Sequence, residues 1–318
     1  VEILRAGGIV AFPTETVYGL GADADSEAAV RKIFAAKGRP ADHPIIVHLH
    51  RAQQIADWAI DIPPAAWKLA DAFWPGPLTL ILQRSGRAKD VITGGLDTVG
   101  LRVPRHPVAQ ELLARLGGAI AAPSANRFGR VSPTTSQHVR QEFGDELELI
   151  LDGGDCQVGL ESTIVDLTND APEILRPGYV TAEQIEQTLG MPLGTPADSS
   201  TRCAGRLASH YAPQARVEIV AAHELGSRFA ALTASGLRVA VIGIAPSNGI
   251  PEAHRIAVPP DIEAYAQQLY SLLRAIDDAG FEVALVTLPP ETGLGTAVAD
   301  RLRRAAGPRD DIGSSFVG

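Results

Sequence analysis

Aromatic residues are scarce, 5% of the chain, and methionine occurs once. A core cannot lean on large rings here. It must be assembled from Ala, Val, Leu and Ile, within an apolar fraction of 45% that is ordinary for a globular protein. Cysteine is nearly missing: Cys156 and Cys203 lie far apart and form no C-x-x-C pair, which excludes a disulfide framework and points to a reducing compartment. No apolar run approaches the roughly 18 residues of a membrane span. No signal peptide is visible, so the expected location is the cytoplasm, without membrane contact. An excess of positive charge is also lacking. With 28 Lys+Arg against 37 Asp+Glu, net charge is −9, which argues against a broad surface that grips a nucleic-acid backbone. There is no G-x-x-x-x-G-K-[ST] phosphate loop, and no G-x-S-x-G that would indicate a covalent serine nucleophile.

What is there begins in Gly8–Val47. An apolar strand, Ile9–Phe12, runs into the hydroxyl-rich turn Pro13-Thr14-Glu15-Thr16, followed by Gly19 and Gly21. Gly19-x-Gly21-x-x-Ala24 formally matches a dinucleotide fingerprint, but residues 13–18 intervene where that motif needs an immediate tight turn. Ser26–Lys37 carries an apolar stripe at Ala29, Val30, Ile33 and Phe34, with Ser26 or Asp25 to cap its start and Gly38 its end, and predicts a helix. Lys37 and Arg39 stand at its close. Two such cations are either solvated and favoured by the helix dipole, or part of an anion site. Arg102 and Arg176, each in a short apolar context next to proline, add partners of matching chemistry. So do Ser124 and Asn126 at a strand end, and Ser132 at an expected helix start. Arginine forks, hydroxyls and helix ends are the chemistry of a triphosphate pocket.

Farther on, strands are expected at Ile45–Leu49, Leu78–Leu82, Thr98–Pro104, Ala119–Ala122, Leu147–Leu151 and Ser162–Leu167. Helices are expected at Ala52–Ala59, Ala65–Phe73, Pro107–Leu116 and from Ser132-Pro133-Thr134. Val1–Ala6 reads as the end of a helix whose beginning precedes Val1. A Pro/Gly/Ser/Thr-rich stretch, Met191–Arg206, breaks the periodicity and reads as a linker. Beyond it, strands at Arg216–Val220, Arg238–Ile244, Arg255–Val258 and Glu282–Thr287 alternate with helices at Ile262–Ala279 and Ala297–Ala306, which argues a second α/β domain. The expected division is 1–190, a linker over 191–215, and 216–318. His48 and His50 share a strand face, as a metal pair or a substrate contact would, with no third ligand at recognisable spacing. Asp152 and Asp155 are a candidate Mg²⁺ hold or simply a turn.

Taken in order, PTETVYGLGADA, KGRP, PGPLTL, TVGLRVP, APSAN, SPT, ESTIVD and LRPG resemble the signature blocks of the YrdC-domain family, the L-threonylcarbamoyladenylate synthases. Ser209-His210-Tyr211-Ala212-Pro213 resembles a block of that family's long, two-domain form. The resemblance implies an α/β fold: a twisted mixed-sheet domain with a deep cationic cavity, plus a smaller Rossmann-like C-terminal domain. It implies a nucleotidyltransferase that turns L-threonine, bicarbonate or CO₂, and ATP with Mg²⁺ into threonylcarbamoyl-AMP and pyrophosphate. A separate tRNA threonylcarbamoyl-transferase complex would use the product, so tRNA would be only an indirect partner. By resemblance Lys37 and Arg39 are catalytic. They contact ATP together with Thr98, Ser124, Asn126, Ser132, Arg176, Tyr211 and His43, which stands where the family often has asparagine. Thr16, His48, Arg102, Ala122 and Ser162 would hold threonine. The linker block departs from the family's Pro-Gly-Met-x-Tyr-x-His-Tyr and reads Ala204-Gly205-Arg206-Leu207-Ala208-Ser209-His210-Tyr211. Two rival readings are a double-stranded RNA or tRNA-binding module without catalysis, and a carbamoyl transferase of the hydrogenase-maturation type. The latter needs acylphosphatase and zinc-finger segments that this chain lacks.

Overall fold

The structure is a computed structural model that describes residues 1–194, 211–244 and 249–308. They fall into two compact units, 1–128 with 132–194, and 129–131 with 211–308.

The first unit is built on an eight-stranded mixed sheet. Its strands are β1 (Val10–Phe12), β2 (Gly19–Asp23), β3 (Val47–His48), β4 (Leu78–Gln83), β5 (Thr98–Arg102), β6 (Ile120–Ala121), β7 (Thr163–Asp166) and β8 (Glu173–Arg176). They lie in the order β1-β2-β6-β3-β5-β4-β7-β8. The helices are α1 (Glu2–Arg5), α2 (Glu27–Lys37), α3 (Ile55–Trp58), α4 (Pro64–Phe73), α5 (Asp90–Thr93), α6 (Pro107–Leu116), α7 (Ser136–Phe143) and α8 (Ala182–Leu189).

Alternation along the strands sorts side chains onto two faces. One face carries Ala11, Leu20, Ala22, Val47, Leu80, Leu82, Val99, Leu101, Ala121 and Val165, all in the main core with Val30, Ile33 and Phe34 of α2 and Leu69 of α4. The other face carries Phe12, Gly19, Gly21, His48, Thr79, Thr98, Gly100, Arg102, Ala122, Ser162 and Ile164, by the registers Phe12↔Gly19, His48↔Arg102, Gln83↔Thr98, Thr79↔Ile164 and Ile164↔Arg176. Leu112 and Leu113 of α6 cover its β1–β6 end against Phe12, Ile120 and Ala122.

α2 forms where its periodicity places it. Ser26 Oγ accepts from Ala29 N at 3.3 Å, and Gly38 ends the helix at φ +62°, a conformation that favours glycine. β2, by contrast, has no sequence expectation behind it. Gly21 is needed because a Cβ there would lie 2.6 Å from Ile120 Cγ2 and 2.7 Å from Phe12 Cε1. The glycine marks close approach within a strand.

Leu147–Leu151 is not a strand. It makes one isolated bridge, Ala11↔Ile150, because the sheet edge at β1 is only three residues long. The expected helix start at Ser132 is also displaced. α7 begins at Ser136, and its cap is Thr135, whose hydroxyl accepts from His138 N at 3.1 Å. The expected strand Ile45–Leu49 is reduced to β3, and Ala52–Ala59 is a 3₁₀ turn followed by α3.

The second unit holds a wholly parallel four-stranded sheet of β9 (Arg216–Ile219), β10 (Val239–Ile242), β11 (Arg255–Ile256) and β12 (Val283–Val286), in the order β11-β10-β12-β9. Parallel neighbours require crossovers. Its helices are α9 (Leu225–Ala234), α10 (Ile262–Asp278) and α11 (Leu294–Ala305). α10 is capped by Asp261, which accepts from Ala264 N at 2.8 Å, and buries Leu269, Leu273 and Ile276 together with Tyr265 and Tyr270. α11 starts three residues earlier than the sequence signals. Most of the expected linker, including Ser209 and His210, lies outside the described residues.

Candidate functional site

The ligand-type residues of the first unit gather into three neighbouring groups. The first forms where α2 ends. Lys37 Nζ donates to the main-chain carbonyls of Ser124 at 2.6 Å and Asn126 at 2.5 Å. The Lys37 side chain therefore ties the K-x-R segment to the backbone of the S-x-N segment. Arg39 donates to Pro44 O at 3.0 Å and stands 5.7 Å above the Phe128 ring, against whose face or edge His43 also packs, at 5.4 Å. Burial, with the Arg39 charge beside it, holds the Lys37 ammonium well below its ordinary pKa; Glu142 opposes this.

The second group sits in the β1–β2 turn and at the end of β5. Thr14 Oγ1 donates to Val17 O at 2.6 Å, so in its 2.8 Å contact with Thr16 Oγ1 it accepts. Thr16 is thereby left with lone pairs, and it accepts from Arg102 Nη1 at 2.9 Å. Arg102 Nε donates to Gly76 O at 3.3 Å, and Nη2 lies 2.8 Å from Glu15 Oε1 in a buried ion pair. His48, beside Arg102 across the β3–β5 ladder, packs edge-on against Phe12 with ring centroids 6.0 Å apart. Its pKa is pushed down to about 3, first by burial and then by the Arg102 charge, while the backbone at Ile120 and Ile46 works the other way. Near neutral pH His48 is therefore an uncharged hydrogen-bonding group.

The sign of that shift sets a pH dependence. Between about pH 6.5 and about pH 3 the unfolded chain binds a proton at His48 that the folded chain does not. Stability should fall with pH through that window by about 1.4 kcal/mol per unit from this residue alone, and be unaffected above it. Urea unfolding from pH 7 to pH 4 should show a shallower decline for His48→Gln than for the parent.

The third group lies around β7 and β8. Arg176 donates to Ser162 O from Nε at 3.1 Å and from Nη2 at 2.9 Å, and to Ser162 Oγ at 3.2 Å. Ser162 Oγ is 2.7 Å from Thr79 Oγ1. Ser132 donates to Glu161 Oε1 at 2.7 Å.

The pleat thus puts Thr98, Arg102, His48, Ala122, Ser162 and Arg176 on one sheet face. Ala122 N is spent on Ile46 O at 3.0 Å. Thr98 is at the far end of β5, four residues before Arg102, or about 13 Å along the strand. Tyr211 belongs to the second unit, where its ring packs 5.6 Å from Tyr270 and 5.3 Å from the Arg301 guanidinium. Sequence reasoning did not assign Glu15, Thr79, Phe128 or Glu161. The only signal for Glu15 was its place inside the hydroxyl turn. Among the described residues no group of three His, Cys, Asp or Glu side chains could hold a metal, so neither His48 with His50 nor Asp152 with Asp155 builds a cage. No helix among them is long and apolar enough to cross a membrane.

Residues 2–178 match the Sua5–YciO–YrdC family model, described as telomere recombination. Residues 180–307 match the model of the threonylcarbamoyl-AMP synthase C-terminal domain. A threonylcarbamoyl-AMP synthase of Pyrococcus abyssi is 43% identical, over 96% of this chain and 92% of its own length. One of Bacillus subtilis is 38% identical over the same shares. The crystal structure of P. abyssi Sua5 complexed with L-threonine superposes with a TM-score of 0.89 at 41% identity, covering 96% of this chain and 92% of that one. These relatives favour the synthase reading and lend none to an RNA-binding module.

Proposed function

The chain belongs to the Sua5–YciO–YrdC family, and we propose that it joins L-threonine, bicarbonate or CO₂, and ATP into L-threonylcarbamoyl-AMP with release of pyrophosphate. The observation that carries this reading is the single sheet face on which cations, hydroxyls and a neutral imidazole converge. That face holds Arg102, Thr16 and His48 in one group, and Arg176, Ser162 and Thr79 in the next.

In this reading threonine lies in the second group. Its carboxylate meets the Arg102 fork, and Thr16 and His48 orient it with hydrogen bonds rather than charge. The amine becomes a carbamate, and the carbamate oxygen attacks the α-phosphate of ATP. Nucleophile and leaving group are both anionic, so the task of the protein is alignment and charge neutralisation. Lys37, Arg39 and Arg176 supply the positive charge. Thr98 extends the same face by about 13 Å along β5 from Arg102. Ser124 and Asn126 shape the wall beside Lys37, Ser132 stands with Glu161 in the third group, and His43 completes the proposed nucleotide contacts of this unit. Mg²⁺ would arrive on the triphosphate, since the described residues offer it no carboxylate cluster, and its chemistry is to offset phosphate charge. The product would pass to a separate tRNA-modifying complex in the cytoplasm.

Pyrophosphate release, measured with each substrate omitted in turn, tests the proposal. Release should require ATP, threonine and bicarbonate together. Release that persists without threonine would sink it.

A further inference from the structure

Buried polar atoms without a hydrogen-bond partner are few in folded proteins, because each has given up hydration for nothing. Three of them, Glu15 Oε1, Arg102 Nη2 and His48 Nδ1, belong to side chains that adjoin one another at the same end of the sheet. Glu15 is 1% exposed and Arg102 4%. Glu15 is held from two sides: its Oε2 accepts from Arg105 N at 3.0 Å and its main-chain carbonyl from Val158 N at 2.8 Å. Its Oε1 is 2.8 Å from Arg102 Nη2, close enough for charge pairing but without the alignment of a hydrogen bond.

An anion and a cation that pair with each other, beside an uncharged imidazole whose Nδ1 has no hydrogen-bond partner, match the zwitterion of an α-amino acid. The guanidinium suits its carboxylate, and the carboxylate suits its ammonium. We infer that Glu15 is a catalytic residue, holding the ammonium of the bound amino acid and accepting a proton from it; this rests on the synthase reading. The step balances. The N–H bond of the ammonium breaks and its proton moves to Glu15 Oε1, which leaves a free amine and a neutral carboxyl. The amine lone pair then forms the N–C bond to bicarbonate, one C–O bond breaks, and hydroxide leaves as water with the second amine proton. The product is the carbamate anion. Once Glu15 is neutral, the substrate carboxylate is the remaining counter-charge to Arg102, which holds the intermediate in place. Glu15 returns its proton to solvent when product departs.

Calorimetry with L-threonine and with 2,3-dihydroxybutanoate, which keeps the carboxylate and hydroxyl but has no amine, tests the assignment. The unaltered protein should bind threonine at least about tenfold more tightly than the amine-free ligand, the range of one charge-assisted hydrogen bond. Glu15→Gln should remove most of that preference and leave the affinity for dihydroxybutanoate within about twofold. The synthase rate of Glu15→Gln should climb with pH as free amine becomes available, while Glu15→Asp keeps the parent pH profile at a reduced rate. Equal affinity of the unaltered protein for both ligands would overturn the assignment. So would a parallel loss for both ligands in Glu15→Gln, since that marks an effect through Arg102 alone. If the unaltered protein bound no threonine at all, the synthase reading itself would fall.

Discussion

Replacing Arg102 with alanine is expected to cost about 3–5 kcal/mol of stability, because it leaves Glu15 as a buried carboxylate with no cation beside it. The pair sits at 2.8 Å with both side chains buried. The removal also frees Thr16 Oγ1 and Gly76 O of their donors. Urea unfolding of Arg102→Ala, Glu15→Ala and the double variant should show strong coupling, with the double variant more stable than the sum of single losses predicts. Arg102→Lys separates folding from recognition. It keeps the charge but has no fork to serve Thr16 and a carboxylate at once. It should fold, yet bind threonine roughly tenfold to a hundredfold more weakly, which is the size of a charge-assisted hydrogen bond. Unchanged threonine affinity in Arg102→Lys would remove Arg102 from the carboxylate site.

Lys37→Met should lower the rate of pyrophosphate release by about 10²–10³, the usual consequence of losing a donor placed where negative charge develops. A second readout follows from the environment of this lysine. Burial and Arg39 hold its pKa well below the ordinary value. A triphosphate beside Nζ would push it back up, so nucleotide binding should take up a proton, and affinity should weaken as pH rises above the pKa of the unliganded lysine. Calorimetry in buffers of different ionisation enthalpy should detect the uptake in the parent and its loss in Lys37→Met. Equal uptake in both would show that another group titrates.

How much of this was legible in the sequence depends on whether the cause was local. α2 was read correctly at both ends because its signals, the Ser26 hydroxyl, the apolar stripe and Gly38, act within a few residues. β2 was missed because Gly19 and Gly21 are demanded by the Phe12 ring on the neighbouring strand, a contact no window along the chain reveals. Leu147–Leu151 has the apolar run of a strand but only one bridge to pair with. The site divides the same way. Cations and hydroxyls betray a site by type. Glu15 does not, since an acid in a turn looks like any other until Arg102 is brought to it. Nor does a side-chain pattern reveal that Lys37 holds the segment around Ser124 by its carbonyls.

The two faces of β5 have a consequence for how such a protein changes over time. Thr98, Gly100 and Arg102 point one way, and Val99 and Leu101 point into the main core. Recognition and folding are thus interleaved one residue apart yet separated by the thickness of a sheet. Substitutions in the first set leave the packing of the core set in place, although at Arg102 the buried pair with Glu15 carries a stability cost of its own. An insertion of one residue would exchange the two sets and forfeit both at once, so drift in this strand should proceed by substitution and almost never by length.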